Sequence, residues 1–148
     1  MKNNSDTSHV ILVNNEQDEE PLPLGLNIKE YVAKILNHLQ LTIDYIEITL
    51  LSSNSIQTLN NDYFKIDQPT DTISFNLTPE EQITGDLYLC PATIRKNANE
   101  FNTTYLTEFQ LVLIHSILHL TGKKDESESD YLDMKQTQEQ ILSDLSHA

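Results

Sequence analysis

The chain has 148 residues, a formal charge of −14 and a single cysteine. That length suits one domain with a core of its own, and one cysteine excludes both an internal disulfide and a Cys-rich zinc knuckle. The acidic balance argues against broad, non-specific nucleic-acid binding, because phosphate affinity rests on Lys and Arg.

In chain order, residues 1–9 are polar and read as a frayed tail, and Val10 to Asn15 read as a first strand. An acidic stretch interrupted by proline follows, from Glu16 to Pro23. Apolar residues then recur at Ile28, Tyr31, Val32, Ile35, Leu36 and Leu39, the spacing of an amphipathic helix, with Asn27 as its N-cap. Tyr45 to Leu51 has the β-branched content of a strand, and Ser53 to Tyr63 reads as a short helix. The segment DQPTDTISF joins a proline-centred turn to a strand at Thr72 to Phe75. Gly85 and Asp86 form a turn into a strand at Leu87 to Cys90, and Pro91 opens a helix from Ala92 to about Phe101. Thr107, with Gln110 three residues on, gives the capping-box pattern of the clearest helix, and Gly122 marks its left-handed stop. A last amphipathic helix spans about Ser129 to Leu145. There is no internal repeat and no linker. The pattern predicts an α+β fold, residues 1–148 as a single domain, with a small mixed β-sheet packed against helices. No apolar run reaches the roughly 18 residues of a membrane span. The N-terminus also has no secretory-signal pattern, so a cytoplasmic location is expected.

The chemistry concentrates in LVLIHSILHLTGKKD, Leu111 to Asp125. His115 and His119 are four apart, so on a helix both rings project from one face and can share a metal ion. The neighbouring positions are apolar nearly all round, which predicts a buried helix whose polar rings need partners. A metal serves both rings at once; two core histidines bonded to backbone or water are the competing reading. Asp125, three residues past Gly122, is the candidate third ligand, leaving a position open for water or substrate. In an H-E-x-x-H metalloprotease the residue after the first histidine is the general base. Here it is Ser116, which lowers a peptidase reading and leaves the base unassigned. Five of the nine bases fall between residues 60 and 125: Lys65, Arg95, Lys96, Lys123 and Lys124. Thr70, Asp71 and Ser74 are candidates for a cleft wall, with turn capping as the alternative for the first two.

These residues carry a resemblance. H-S-I-L-H-L-T-G-K-K-D, from His115, is similar to the H-G-x-L-H-L-x-G-Y-D-H motif of the YbeY family of bacterial rRNA-maturation endoribonucleases. DQPTDTISF resembles the family's D-x-P-T-D-V-L-S-F, and GDLYL from Gly85 its G-D-I-x-I. Met134 and Glu139 fit its M-x4-E. The resemblance implies a zinc-dependent RNase specific for single strands, acting at the small-subunit rRNA 3′ end and in ribosome quality control. It implies His115, His119 and Asp125 as metal ligands acting catalytically through the ion. The implied partners are rRNA and small-subunit or associated ribosomal components, with no membrane and no DNA. Three departures from the family bear on the chemistry. Asp125 stands where the third ligand is usually His, and an oxygen donor there relaxes preference toward other divalent ions. Ser116 replaces a glycine. Phe64 replaces an arginine, with Lys65 beside it. Lys65, Lys123 and Lys124 are accordingly the candidate contacts to RNA phosphate. A non-enzymatic assembly factor with a structural metal, and a metal hydrolase with another substrate, are the alternatives.

Overall fold

The computed structural model describes residues 10–77, 83–123 and 126–146. Among the described residues there are four strands, β1 (Ile11–Asn15), β2 (Ile43–Leu50), β3 (Thr72–Asn76) and β4 (Ile83–Leu89), and five helices; a helix follows each of the first two strands, and three helices follow β4. The helices are α1 (Ile28–His38), α2 (Ser53–Phe64), α3 (Pro91–Glu100), α4 (Tyr105–Leu120) and α5 (Glu128–Ser146). The sheet order is β1-β2-β4-β3. β1 and β4 run parallel to β2, and β3 pairs antiparallel with β4 at the edge. This is the mixed sheet of an α+β fold.

Alternation along the strands divides the apolar residues between two clusters. Ile46, Ile48, Leu50, Leu87 and Leu89 join the main core with α1, α4 and α5. Ile73 of β3 points the other way and packs with Ile56 and Cys90, flanked by Leu59, Phe75 and Tyr88. The intervening β3 residues, Thr72, Ser74 and Asn76, are left on the side of α4, and this placement builds one wall of the site.

The helix starts and stops follow from side chains. Asn27 caps α1 by accepting from the Glu30 amide, 3.0 Å away. The start predicted at Thr107 is corrected. Thr104 is the N-cap of α4, and its hydroxyl accepts from the Thr107 amide at 3.0 Å. The helix gains these residues because Tyr105 packs against the core and its hydroxyl donates to the Pro21 carbonyl at 2.8 Å. The strand predicted from Leu87 begins earlier, at Ile83, because it pairs with both β2 and β3.

At the other end of α4, Gly122 has φ +94°, a conformation that costs an L-residue its Cβ contacts. Its amide donates to the His119 carbonyl, and the Lys123 amide donates to the Leu118 carbonyl. This is the paired-bond Schellman stop, and it satisfies carbonyls that would otherwise be orphaned beside the histidines.

Gly85 sets how closely α4 meets the sheet. A methyl group there would lie 2.7 Å from Leu120 Cδ1, and Leu120 is buried. Gly85→Ala is therefore expected to destabilise the fold by about 1–3 kcal/mol through overpacking. Urea unfolding of the single and double variants checks this: the penalty should shrink in a Leu120→Ala background. An equal penalty in both backgrounds would show that the contact is not its origin.

Candidate active site

α4 is buried along most of its circumference, but His115 and His119 occupy its half-exposed stripe. Their Nε2 atoms are 3.0 Å apart and the rings stand at 81° to each other. Any point about 2.0–2.1 Å from both nitrogens, the usual metal-to-imidazole distance, is therefore geometrically accessible. His115 Nδ1 lies 3.0 Å from Gln138 Oε1 of α5. An amide oxygen only accepts, so Nδ1 carries the hydrogen and the lone pair of a neutral His115 is on Nε2, facing its partner. That tautomer is the one a metal ligand needs.

A cleft of 470 Å³ opens over the pair, lined by His115, His119 and Leu120 of α4, by Thr70 to Ser74 and Asn76, and by Asn60 and Phe64 of α2. Local bonds hold this wall in place. Asn60, buried at the end of α2, donates to the Gln68 carbonyl at 3.0 Å, and the Cys90 amide donates to the Asp71 carbonyl at 2.9 Å. Ser116 donates to the Val112 carbonyl at 2.8 Å. Its only hydrogen is thus spent, and the Thr72 hydroxyl donates to Ser116 Oγ, also at 2.8 Å. Asn76 Nδ2 donates to the Leu120 carbonyl at 2.8 Å. Ser116 therefore ties α4 to β3. Ser74 Oγ is buried and has no hydrogen-bond partner among the described residues.

A second recess of 790 Å³ lies between α4 and α5 and shares Asp71 and His115 with the first. Phe101, Tyr131, Met134 and Leu142 give it an apolar lining, and Gln138 and Glu108 face it.

Thr70, Asp71 and Ser74 thus stand where a cleft wall was expected. The cations fare differently. Lys123 is ion-paired with Asp133 instead of projecting toward the cleft. Lys65 caps α2 in a left-handed conformation, φ +60°, and lines neither recess. Arg95 is 3.7 Å from Glu20 and stacks over Tyr105. Among the described residues no lysine or arginine lines the cleft over the histidines. Lys124 and Asp125 lie outside the described residues, and among those described no third carboxylate, thiol or imidazole joins the pair in a metal-sized group.

Sequence reasoning passed over Gln138 and Glu108. Gln138 falls four residues after Met134 and four before Leu142, on the inward stripe of α5, so its polarity there was the available signal. Glu108 gave none beyond its place in the first turn of α4.

A mixed sheet with a two-histidine helix crossing beside its β3–β4 edge, the histidines facing a recess, defines a small α+β class. The comparisons fix the family. Residues 12–146 match the family described as Endoribonuclease YbeY, and the chain belongs to it. It is 37% identical over 102 residues to Endoribonuclease YbeY of Thermotoga maritima, covering 69% of this chain and 67% of that protein. It is 31% identical over 134 residues to that of Protochlamydia amoebophila, covering 87% and 89%. The solution structure of TM1509 from Thermotoga maritima matches 93% of both chains, with 29% identity and a TM-score of 0.63.

Glu108 is 9% exposed, and burial, reinforced by the Asp71 carboxylate, pushes it above the usual carboxylate range. The folded protein therefore keeps this proton to higher pH than the unfolded chain does. Stability falls as pH rises from the ordinary carboxylate value through the raised one. Glu108→Gln should raise the melting temperature relative to wild type at about pH 7 and match it near about pH 4. Thermal unfolding across that range checks the sign.

Proposed function

We propose that this protein is a metal-dependent endoribonuclease that cuts single-stranded RNA during maturation of small-subunit rRNA, in the cytoplasm. The observation that carries this reading is the pair of Nε2 atoms 3.0 Å apart at the floor of the cleft, with Gln138 holding the His115 tautomer. Membership of a family described as endoribonucleases supports RNA as the substrate. Among the described residues no helix is long and apolar enough to cross a membrane.

His115 and His119 are the residues that would hold a divalent ion, zinc in the first instance, with Asp125 as the third ligand. Such an ion supplies charge stabilisation at a phosphoryl oxygen and lowers the pKa of water toward about 7. The chain's own groups do the rest. Gln138 fixes the ring of His115, so the imidazole need not be ordered when the ligand arrives. Ser74 lines the cleft, and its buried Oγ has no hydrogen-bond partner among the described residues. Asp71 is the one carboxylate among the described residues lining the cleft, and it is the group available to take a proton from the attacking hydroxyl. The buried apolar flank of α4 keeps the histidines on one wall and restricts bulk water to the cleft side.

Metal analysis of wild type beside His119→Ala and Asp125→Ala, with RNA cleavage measured on the same samples, tests the reading. Both variants are expected to lose metal and most cleavage. Gln138→Leu should retain the fold and weaken metal binding about 10–100-fold. Unchanged metal content in all three would end the ligand assignment. A metal-loaded protein that cuts no RNA would favour an assembly factor, or a hydrolase with another substrate if an ester or peptide is cleaved. Cyclic 2′,3′-phosphate ends on the RNA products would identify the 2′-hydroxyl as the attacking group.

A further inference from the structure

The cleft over His115 and His119 is lined by no lysine or arginine among the described residues, yet it carries an aromatic ring. Phe64 closes α2 and is 49% exposed. It lies nearly parallel to Phe75, at 9° with centroids 6.1 Å apart. Phe75 is itself held by Tyr88 edge-on at 6.1 Å and by Tyr63 at 5.1 Å. The backing ring is thus fixed by three neighbours, and Phe64 stands over the cleft on a rigid base. A half-exposed phenyl ring supported in this way, beside a recessed polar site, is what a planar partner needs.

We infer that Phe64, backed by Phe75, is a base-stacking platform that positions an unpaired nucleotide of the substrate beside His115 and His119. This deepens the endoribonuclease reading and rests on it. Charge selects the occupant. A chain of −14 whose cleft wall holds no lysine or arginine among the described residues gains little from side-chain contacts to phosphate, whereas stacking on a π-face is insensitive to net charge. The platform also selects single strands: a base inside a duplex has both faces covered by its neighbours and has none to offer. Phe64 acts here as a positioning and specificity residue for the reaction proposed at the histidines.

The test uses the full-length protein and a labelled single-stranded oligoribonucleotide, with binding read by fluorescence anisotropy at several salt concentrations. Phe64→Leu, which retains apolar contact with Phe75 but removes the ring, should weaken binding about 10-fold. Phe64→Trp should restore it. The salt slope should be the same in all three proteins, because no phosphate contact is changed. An otherwise identical probe with abasic sites should bind wild type and Phe64→Leu equally. Equal affinity of wild type and Phe64→Leu for the intact probe would overturn the inference, as would an equal loss on the abasic probe. Wild-type cleavage of the same RNA is measured in parallel. If wild type cuts it and Phe64→Leu binds normally, the platform alone is wrong; if wild type neither binds nor cuts, the endoribonuclease reading fails and takes the platform with it.

Discussion

The geometry of the histidine pair depends on how α4 is seated against the β3–β4 edge of the sheet. Three contacts do this within two turns of the helix: Leu120 lies directly over Gly85, Asn76 donates to the Leu120 carbonyl, and Thr72 donates to Ser116. The first is a packing constraint and admits no side chain on the strand; the other two are polar bonds that fix rotation and axial position. A helix held only by apolar contact can slide or roll with small cost, since such contacts are non-directional. Two bonds from one face of a single strand, four residues apart, remove both freedoms. The half-exposed stripe carrying His115 and His119 is then fixed toward the cleft.

The same seating settles the electrostatic character of the site. Two cations of the central region are used elsewhere, with Lys123 bound to Asp133 and Arg95 held by Glu20 and Tyr105. Among the described residues the cleft lining is neutral or acidic, with aromatic and hydroxyl groups: Phe64, Ser74, Thr70 and Asp71. On the proposed function, recognition then falls to shape, stacking and the ion, with weak long-range attraction. Surface steering would be slight for so acidic a chain.

Much of this was legible in the sequence because it depends on local rules. The period of α1 and its Asn27 cap, the strands around Ile46 and Ile73, and the glycine stop at Gly122 all follow from spacing or backbone preference within a few residues. The histidine pair was legible for the same reason: four residues on a helix is a fixed rotation. The misses are long-range. Thr104 rather than Thr107 starts α4 because Tyr105 finds Pro21, 84 positions earlier in the chain. Gln138 reaches His115 across 23 residues, and Ser116 reaches Thr72 across 44. Pairings of that kind are set by topology, and the partners carry no local mark. The fate of Lys123 belongs to the same class, since nothing near it in sequence announces Asp133.

The Schellman stop at Gly122 has an evolutionary consequence. It closes α4 with backbone bonds alone, from the Gly122 and Lys123 amides to the His119 and Leu118 carbonyls. The two histidines are therefore set by main-chain bonds that do not depend on the side chains that follow Gly122. On the proposed function, the site separates into a histidine pair held by the helix and a third position beyond its stop. With Asp125 as the proposed third ligand, exchange of His for Asp would alter donor hardness without calling on the bonds that stop the helix or its docking on Gly85. Lineages that live with different metal supplies could retune the ion by a single codon, with the rest of the fold as an unchanged frame.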